Sequence, residues 1–303
     1  MPYKQILEGI SQERNLREDS LATYLESLKP LARQLFNSYQ TQEVATKYDT
    51  SEVQDCYLLR YYPVYAGLLN QELERVCPVN LLCERSITAS FFGCGPAPEL
   101  ASLLSFLLKS RVNVKALDAS LFDIDSAQWA YARNIAINYI LNESYKFCRL
   151  GTHSDSADFT SADFFNSNIE MATRVRRSKL VVFQNCLNEV RPQKILKTIF
   201  NIKIIIELVP PKCLIIFIDQ APGKYRNIDR ILNEINSHAG NSQKINLLST
   251  LSLQKYDCKP TYREMPNNIE GKPYYRAQTI TEQNSGLVLR REIKYSSIVL
   301  EKT

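Results

Sequence analysis

The spacing of hydrophobic and polar positions changes near residue 86. From there to about residue 240, short apolar runs of strand length alternate with longer segments whose apolar residues recur at helical spacing. This alternation predicts βαβ units and a parallel sheet with right-handed crossovers. The predicted strands are 87–92, 114–118, 145–150, 179–184 and 213–218, and the predicted helices are 98–109, 126–141, 192–208 and 225–237, with a polar helix or loop over 158–177.

The two ends of the chain differ from this central part. Residues 1 to about 80 predict helices, because apolar side chains recur every three or four positions in 21–35 and again in 53–69. After residue 240 the pattern predicts strands at 245–253 and within 274–300, with Asn284-Ser-Gly286 as a hairpin turn. We therefore divide the chain into an N-terminal helical extension, residues 1–80, and one α/β domain, residues 81–303.

Two glycines mark the end of the first predicted strand. The apolar run ends in Gly93-Cys94-Gly95-Pro96, an apolar helix follows, and the next apolar run ends in Asp118. Glycine lets the backbone turn tightly at a strand end and approach a ligand closely. An acid about twenty residues further on accepts hydrogen bonds from ribose hydroxyls in nucleotide-binding βαβ units. The spacing therefore predicts a cofactor with a ribose at this edge of the sheet.

These motifs resemble the S-adenosylmethionine-dependent methyltransferases of the Rossmann-like class over close to half of the chain. Gly93-Cys-Gly-Pro is similar to their first motif, and Asp118 to the ribose-binding acid of the second. Trp129 is similar to the aromatic helix start that follows this acid. Residues 181–190 resemble the fourth strand with its exit loop, and 208–219 resemble the turn and strand that come next.

The resemblance implies both a fold and a cofactor. The fold is α/β: a doubly wound, seven-stranded, mostly parallel sheet with an N-terminal helical extension, in which the strand ending at Leu300 runs antiparallel between its neighbours. The cofactor is S-adenosyl-L-methionine, and the implied function is methyl transfer. The residues implied to bind the cofactor are Gly93, Cys94, Gly95, Pro96, Glu99, Asp118, Ala119, Trp129, His153, Gln184 and Asn185.

Methyl transfer from a sulfonium needs little covalent chemistry from the protein. The methyl group is already activated, so the protein mainly aligns the acceptor and removes a proton where one is present. Glu189, just after the fourth predicted strand, is the candidate for that proton, and Asn185 is the candidate for orienting an amine or a carboxylate. Each has an equally good structural explanation, Glu189 as a helix N-terminal acid and Asn185 as a turn residue.

Two departures from the family pattern keep other functions open. Phe91 stands where the family usually has an acid, and Ala97 where it often has a third glycine. A non-catalytic cofactor-binding or assembly factor with the same fold is one alternative. An NAD-dependent oxidoreductase is another, because a G-x-G turn followed by an acid is common to both classes. The methyl acceptor is not defined by the sequence, and RNA or a ribosomal particle is slightly favoured over a small molecule.

Charge adds one candidate partner surface. The net charge is +5, which is mildly basic and falls short of a nucleic-acid footprint by itself. The densest basic cluster consists of Arg174, Arg176, Arg177 and Lys179. It is either a solvated helix end or a patch that contacts RNA phosphates. The second interpretation requires that the polar segment before the cluster folds over the edge of the sheet.

Composition limits the compartment and the metal chemistry. The eight cysteines include no C-x-x-C pair, which indicates free thiols in a reducing compartment. No apolar run approaches the roughly 18 residues that span a bilayer, and the first residues lack the apolar core of a secretory signal. Only two histidines are present. We therefore expect a cytoplasmic protein without a membrane anchor or a bound metal.

Overall fold

The computed structural model describes residues 3–38, 47–78, 80, 82, 84–111, 113–142, 148–165, 168–220, 226–257, 268–269, 272–273 and 292–303. The predicted hairpin turn at 284–286 lies outside these residues. Within them, no helix is both long enough and apolar enough to cross a membrane.

Helices precede the first strand, as the periodicity predicted. They are α1 (Tyr3–Glu13), α2 (Glu18–Ser27), α3 (Lys29–Ser38), α4 (Ser51–Arg60) and α5 (Tyr62–Val76). Pro63 lies in the first turn of α5, where its missing N–H would have no helical partner. It therefore begins a new helix instead of kinking a longer one.

The remaining helices alternate with the strands. They are α6 (Pro98–Lys109), α7 (Ala130–Ile135), α8 (Ile169–Val175), α9 (Ile195–Leu208) and α10 (Arg226–Gly240). A 3₁₀ turn, Ser126–Trp129, leads into α7, and a single π turn, Ala136–Ile140, continues it. A further 3₁₀ turn, Leu187–Glu189, follows the fourth strand.

Seven strands form one twisted sheet. They are β1 (Ser86–Phe92), β2 (Ala116–Asp123), β3 (Arg149–Ser156), β4 (Leu180–Gln184), β5 (Leu214–Gln220), β6 (Ile245–Asp257) and β9 (Glu292–Lys302), and two-residue strands β7 (Asn268–Ile269) and β8 (Lys272–Pro273) pair separately. The order is β3-β2-β1-β4-β5-β9-β6. β1 to β5 are parallel, and β9 runs antiparallel to both β5 and β6. The predicted seven-stranded, doubly wound sheet with an inserted antiparallel strand is therefore confirmed.

Each face of the sheet has its own hydrophobic core. One core contains α1 to α7 packed on the sheet, with Leu58, Leu68 and Leu104 among its fully buried side chains. The other core lies under α8, α9 and α10. The N-terminal helices thus share a core with the sheet. The division at residue 80 stays a prediction.

Two strand ends differ from the sequence-based expectation. β2 continues for five residues beyond Asp118 and ends at Asp123, while β3 spans Arg149–Ser156 instead of 145–150. Asp118 pairs with Thr88, early in β1, whereas Phe122 pairs with Phe92 at its end. The prediction that Asp118 closes the second strand is therefore wrong. The sheet accommodates this acid because Gly151 lies opposite and the Nε2 of His153 is 2.9 Å from its carboxylate.

Candidate functional site

A cavity of about 420 Å³ opens at the carboxyl ends of the first four strands. This is the edge where ligands bind in doubly wound sheets, and the volume lies in the roughly 300–1,000 Å³ range of small-molecule sites. Residues that follow β1, β2, β3 and β4, and residues of the N-terminal extension, line it. They are Gly93 and Gly95; Asp123, Ile124, Asp125 and Trp129; Ala157, Asp158, Phe159 and Thr160; Gln184, Asn185, Cys186, Asn188, Glu189, Val190, Arg191 and Lys194; and Tyr48, Tyr57 and Tyr65.

The turn after β1 requires both of its glycines. Gly93 has φ +63° and Gly95 has φ +50°, conformations that side chains with a Cβ rarely adopt. A Cβ on Gly93 would lie 2.3 Å from the Cβ of Cys186, and one on Gly95 would lie 3.2 Å from the ring of Trp129. The backbone therefore comes close to the β4 loop and to Trp129, which leaves the turn open only toward the cavity.

Asp123 braces this turn from the end of β2. One carboxylate oxygen accepts a hydrogen bond from the Gly95 N–H at 2.9 Å, and the other accepts one from the Asp125 N–H at 3.2 Å. On the other side, the Nε of Arg133 donates to the Gly95 carbonyl at 2.7 Å. Burial raises the pKa of the Asp123 carboxyl. Asp123 thus supplies a polar contact to the turn although Phe91 replaces the acid expected before it.

The residues that leave β4 carry buried polar atoms without partners. Asn185 has φ +54°, and neither its Nδ2 nor its Oδ1 has a hydrogen-bond partner. The Nε2 of Gln184 donates to the Tyr65 carbonyl at 3.0 Å and to Glu99 at 3.2 Å, while the Oε1 of Gln184 and the Oε2 of Glu99 have no partner. Because such atoms are costly to bury unpaired, their concentration beside the cavity indicates a polar ligand.

Asp219, at the end of β5, holds the loop that carries Glu189. One of its carboxylate oxygens accepts hydrogen bonds from the N–H groups of Leu187 and Asn188, at 2.9 and 3.1 Å. The side chain is fully buried, and this burial raises the pKa of its carboxyl to about 7. The two hydrogen bonds shape the 3₁₀ turn and place Glu189 on the wall of the cavity.

Glu189 lines the cavity, and the pKa of its carboxyl is raised. The residue is exposed and lines the cavity. The protein around the cavity partly desolvates its carboxyl, and the negative charges of Asp123 and Asp219 add to the effect, so that the pKa rises above its ordinary value, by an amount that the solvent at this exposed residue limits. A carboxyl with a pKa close to neutrality is suited to accept a proton and release it again.

An aromatic wall, formed by Tyr48, Tyr57 and Trp129, closes one side of the cavity. The Tyr48 and Trp129 rings lie 4.3 Å apart between centroids, and the Tyr57 ring meets Trp129 edge-on at 5.0 Å. Tyr65 extends the aromatic surface, 6.0 Å from Tyr57. Three of these four side chains come from the N-terminal extension, which therefore contributes directly to the cavity.

Some predicted site residues line the cavity and others do not. Gly93, Gly95, Trp129, Gln184, Asn185 and Glu189 line it. Cys94, Pro96 and Glu99 are buried behind the turn without lining it. Asp118, Ala119 and His153 lie within β2 and β3 and do not line this cavity. That they bind the cofactor stays a prediction. Sequence reasoning ended both strands too early, because it took the first polar residue after an apolar run as the end of the strand.

The same error hid several residues of the cavity. Asp123 is the last residue of β2, Ile124 and Asp125 follow it, and Asp158 to Thr160 follow β3. The apolar run 119–122 directly before Asp123 was the available signal for the first group. Nothing in the local sequence marks Tyr48 or Tyr57, which reach the cavity only through the packing of α4 against α7.

The basic cluster lies around the start of β4. Lys179 directly precedes β4, whose other end carries the cavity, and Arg174 lies in α8 just before it. Arg174 pairs with Glu170 at 2.7 Å and Lys179 with Glu84 at 2.8 Å. The Nε of Arg174 also lies 3.9 Å from Asp155, one residue before the end of β3. Lys179 is therefore at the far end of β4 from the cavity, whereas the side chain of Arg174 reaches toward the strand ends. Contact of Arg174, Arg176, Arg177 and Lys179 with RNA stays a prediction.

Comparison with known proteins gives a likeness of fold. No protein-family model matches the sequence, and no curated protein does. Among solved structures, a candidate rRNA methylase from Clostridium thermocellum is 15% identical, with 76% of this chain and 93% of that chain covered and a TM-score of 0.39. The plantazolicin methyltransferase BpumL, in complex with SAH, is 10% identical, with 94% and 99% covered and a TM-score of 0.42. An O-methyltransferase family protein from Burkholderia thailandensis is 10% identical, with 93% and 70% covered and a TM-score of 0.41.

The class of the fold follows from the sheet itself. The strand order β3-β2-β1-β4-β5-β9-β6, with only β9 antiparallel to its neighbours, is the Rossmann-like methyltransferase arrangement that the sequence predicted. At the identities and TM-scores above, the likeness says nothing about the reaction of this chain. Its function has to be argued from the residues of the cavity.

Proposed function

We propose that this chain is an S-adenosylmethionine-dependent methyltransferase that binds the cofactor in the cavity at the carboxyl ends of β1, β2 and β4. One observation carries the proposal: the glycine turn, an acid at the end of β2 and the unpartnered amide of Asn185 line the same cavity. A cofactor with a ribose at one end and an amino acid at the other matches these groups.

Each end of the cofactor has a set of residues suited to it. Asp123 keeps lone pairs free beyond its two backbone hydrogen bonds, so it is able to accept from ribose hydroxyls. The partnerless oxygens of Gln184 and Asn185 would accept from the ammonium group of the methionine part, and the Nδ2 of Asn185 would donate to its carboxylate. When bound, the cofactor supplies the activated methyl group.

The chemistry assigned to the protein is alignment and proton removal. Glu189 stands on the loop after β4 and accepts the proton of an acceptor hydroxyl or amine. Cys186, on the same loop, is a poor candidate for a nucleophile, because its burial raises the pKa of the thiol well above its ordinary value. Asp219 serves as a positioning residue, since it holds the turn that carries Glu189.

The geometry favours a small acceptor over RNA. Tyr48 and Tyr57 of the N-terminal extension line the cavity, so a small acceptor that enters it would share the space with the cofactor. Of the basic cluster that suggested RNA, Lys179 lies at the opposite end of β4 from the cavity, and Arg174 and Lys179 pair with Glu170 and Glu84. These observations support a small acceptor ahead of RNA. A non-catalytic binding factor and an NAD-dependent oxidoreductase are the alternatives that the test has to separate.

The first test is calorimetric titration of the purified chain with S-adenosylmethionine, S-adenosylhomocysteine and NAD. We expect both sulfur compounds to bind at one site and NAD not to bind. Binding of NAD alone would support the oxidoreductase, and binding of none of the three would overturn the proposal.

The second test uses S-adenosylmethionine labelled in its methyl group, incubated with fractionated small molecules and, separately, with total RNA. We expect label in a small-molecule fraction, a rate that rises with pH as Glu189 loses its proton, and loss of both in Glu189→Gln at unchanged cofactor affinity. Cofactor binding with no transfer to any fraction would support the binding factor, and label in RNA would identify RNA as the acceptor.

A further inference from the structure

Gln54 lies behind the aromatic wall and does not line the cavity. It is on α4 and is only 3% exposed. Both the nitrogen and the oxygen of its side-chain amide have hydrogen-bond partners. Its Nε2 donates to the Tyr48 carbonyl at 2.8 Å and to the Gln128 carbonyl at 2.5 Å. Its Oε1 accepts from the Ala132 N–H at 2.9 Å.

These three hydrogen bonds join the segments that carry the rings of the wall. Tyr48 belongs to the stretch that leads into α4, while Gln128 and Ala132 flank Trp129 on either side. The first two partners are carbonyls and the third is an amide, so one side chain ties both segments to α4. The ring of Trp129 also packs against Gly95, where a Cβ would lie 3.2 Å from it. A movement of Trp129 would therefore affect both the glycine turn and Tyr48.

We infer that Gln54 is a positioning residue for the cofactor cavity: it holds the Tyr48 and Trp129 rings in contact with each other, and so sets the affinity for the cofactor without touching it. This inference rests on the proposed function for the identity of the ligand, but the positioning itself is a property of the unliganded protein. A side chain at this position that keeps its volume and loses its amide would leave two carbonyls and one N–H of the wall without their partner.

The chain offers a built-in reporter for this inference. Trp129 is the single tryptophan, it is 4% exposed, and it stands in the wall itself. Its fluorescence therefore reports the packing of the wall, and quenching by acrylamide measures how far solvent reaches the ring. This measurement needs no ligand.

The test compares Gln54→Met with Gln71→Met. Both changes keep the side-chain length and remove an amide, but Gln71, on α5, donates to the Lys255 carbonyl at 3.2 Å and does not line the cavity. We expect acrylamide quenching of Trp129 to increase in Gln54→Met and the affinity for S-adenosylhomocysteine to fall about tenfold, the effect of losing roughly one net hydrogen bond's free energy. Gln71→Met is expected to change neither.

Gln54→Glu is the second variant, and it takes over if Gln54→Met does not fold. It keeps an oxygen for the Ala132 N–H and loses at least one of the two donated bonds, since a carboxyl has at most one O–H donor, so the same two changes are expected. A lower unfolding temperature with unchanged quenching and affinity would show that Gln54 only adds stability, and would overturn the inference. If the wild type does not bind S-adenosylhomocysteine, the proposed function fails, while the quenching comparison still decides whether Gln54 positions the wall.

Discussion

Asp123 combines two tasks at the end of β2. Its carboxylate fixes the backbone of the glycine turn through Gly95, and it faces the cavity where a ribose would lie. Asp118 has the same side chain in the same strand, five residues earlier, and its nearest partner is His153. The two acids differ in distance from the cavity and in burial, since Asp123 is buried and the Asp118 side chain is 47% exposed. Asp118 therefore serves as a control for the loss of a carboxylate from the same strand.

We expect Asp123→Ala to weaken cofactor binding by about 1.5–3 kcal/mol, the range for hydrogen bonds to a charged acceptor. Asp118→Ala should leave the affinity unchanged. Calorimetric titration of both variants with S-adenosylhomocysteine measures the difference. An equal loss in both variants, or a loss in Asp118→Ala alone, would contradict the placement of the ribose.

Asp219 makes stability depend on pH in a direction that is unusual for a carboxyl. Burial raises its pKa in the folded protein to about 7, from an ordinary value of 3.8. Between these values the folded state holds a proton that the unfolded state has released, so this group's contribution to stability falls as the pH rises from about 4 to 7.

The test uses Asp219→Asn, which keeps an oxygen for the Leu187 and Asn188 N–H groups and loses the one that accepts from the Gln220 N–H at 2.8 Å. The cost of that lost bond does not depend on pH, so the pH dependence still reports the titration of Asp219. The difference in the free energy of unfolding, wild type minus variant, should fall with rising pH through this window, by an amount on the order of 4 kcal/mol. Urea unfolding at several pH values measures it. A difference that stays constant, or grows with pH, would show that Asp219 is ionised in the folded protein.

At the scale of an element, the turn between β1 and α6 tolerates little change at its first glycine. Gly93→Ala would place a Cβ 2.3 Å from that of Cys186 and would hold alanine at φ +63°. Gly240, at the end of α10, is the matched control, because a Cβ there would meet nothing within 4 Å.

We expect Gly93→Ala to lower the free energy of unfolding by more than about 2 kcal/mol and to abolish cofactor binding, since both the strained backbone and the clash move the turn. Gly240→Ala should be neutral or slightly stabilising. Urea unfolding and titration with S-adenosylhomocysteine check both effects. If Gly93→Ala bound the cofactor like the wild type, the turn would not be part of the site.

At the scale of the whole molecule, the basic cluster lies around the start of β4 and the cavity at its other end. Replacing Arg174, Arg176, Arg177 and Lys179 by serine should leave the affinity for S-adenosylhomocysteine unchanged, because the cluster lies before β4 and the cavity after it. If the wild type binds single-stranded RNA, that binding should weaken with salt by a log-log slope of roughly −0.7 per phosphate contact, and the variant should have a flatter slope.

Titration and salt-dependent RNA binding of the two proteins measure these effects. Loss of cofactor affinity in the variant would mean that the cluster acts on the cavity across the sheet.

Much of this fold depends on residues that are close together in the chain, and it could therefore be predicted from the sequence. The β1 strand and α6 begin and end within a residue of their predicted bounds, because an apolar run followed by two glycines and then by a proline leaves little choice. The insertion of β9 between β5 and β6 was expected from the family resemblance alone, since neither strand's own residues specify its neighbours.

The sequence by itself determined the order of elements, the glycine turn and the loop that carries Asn185 and Glu189, because these depend on periodicity and on residues adjacent in the chain. Only the tertiary structure decided where β2 ends. The register with β1 extends it past Asp118 to Asp123, and an acid inside a strand is tolerated where Gly151 leaves room opposite. The aromatic wall is likewise tertiary, because Tyr48 and Trp129 are distant in sequence and their rings come into contact only in the folded chain, where Gln54 hydrogen-bonds both segments. Contacts between segments that are distant in the chain leave no signal in the local sequence, although the candidate site is complete only with them.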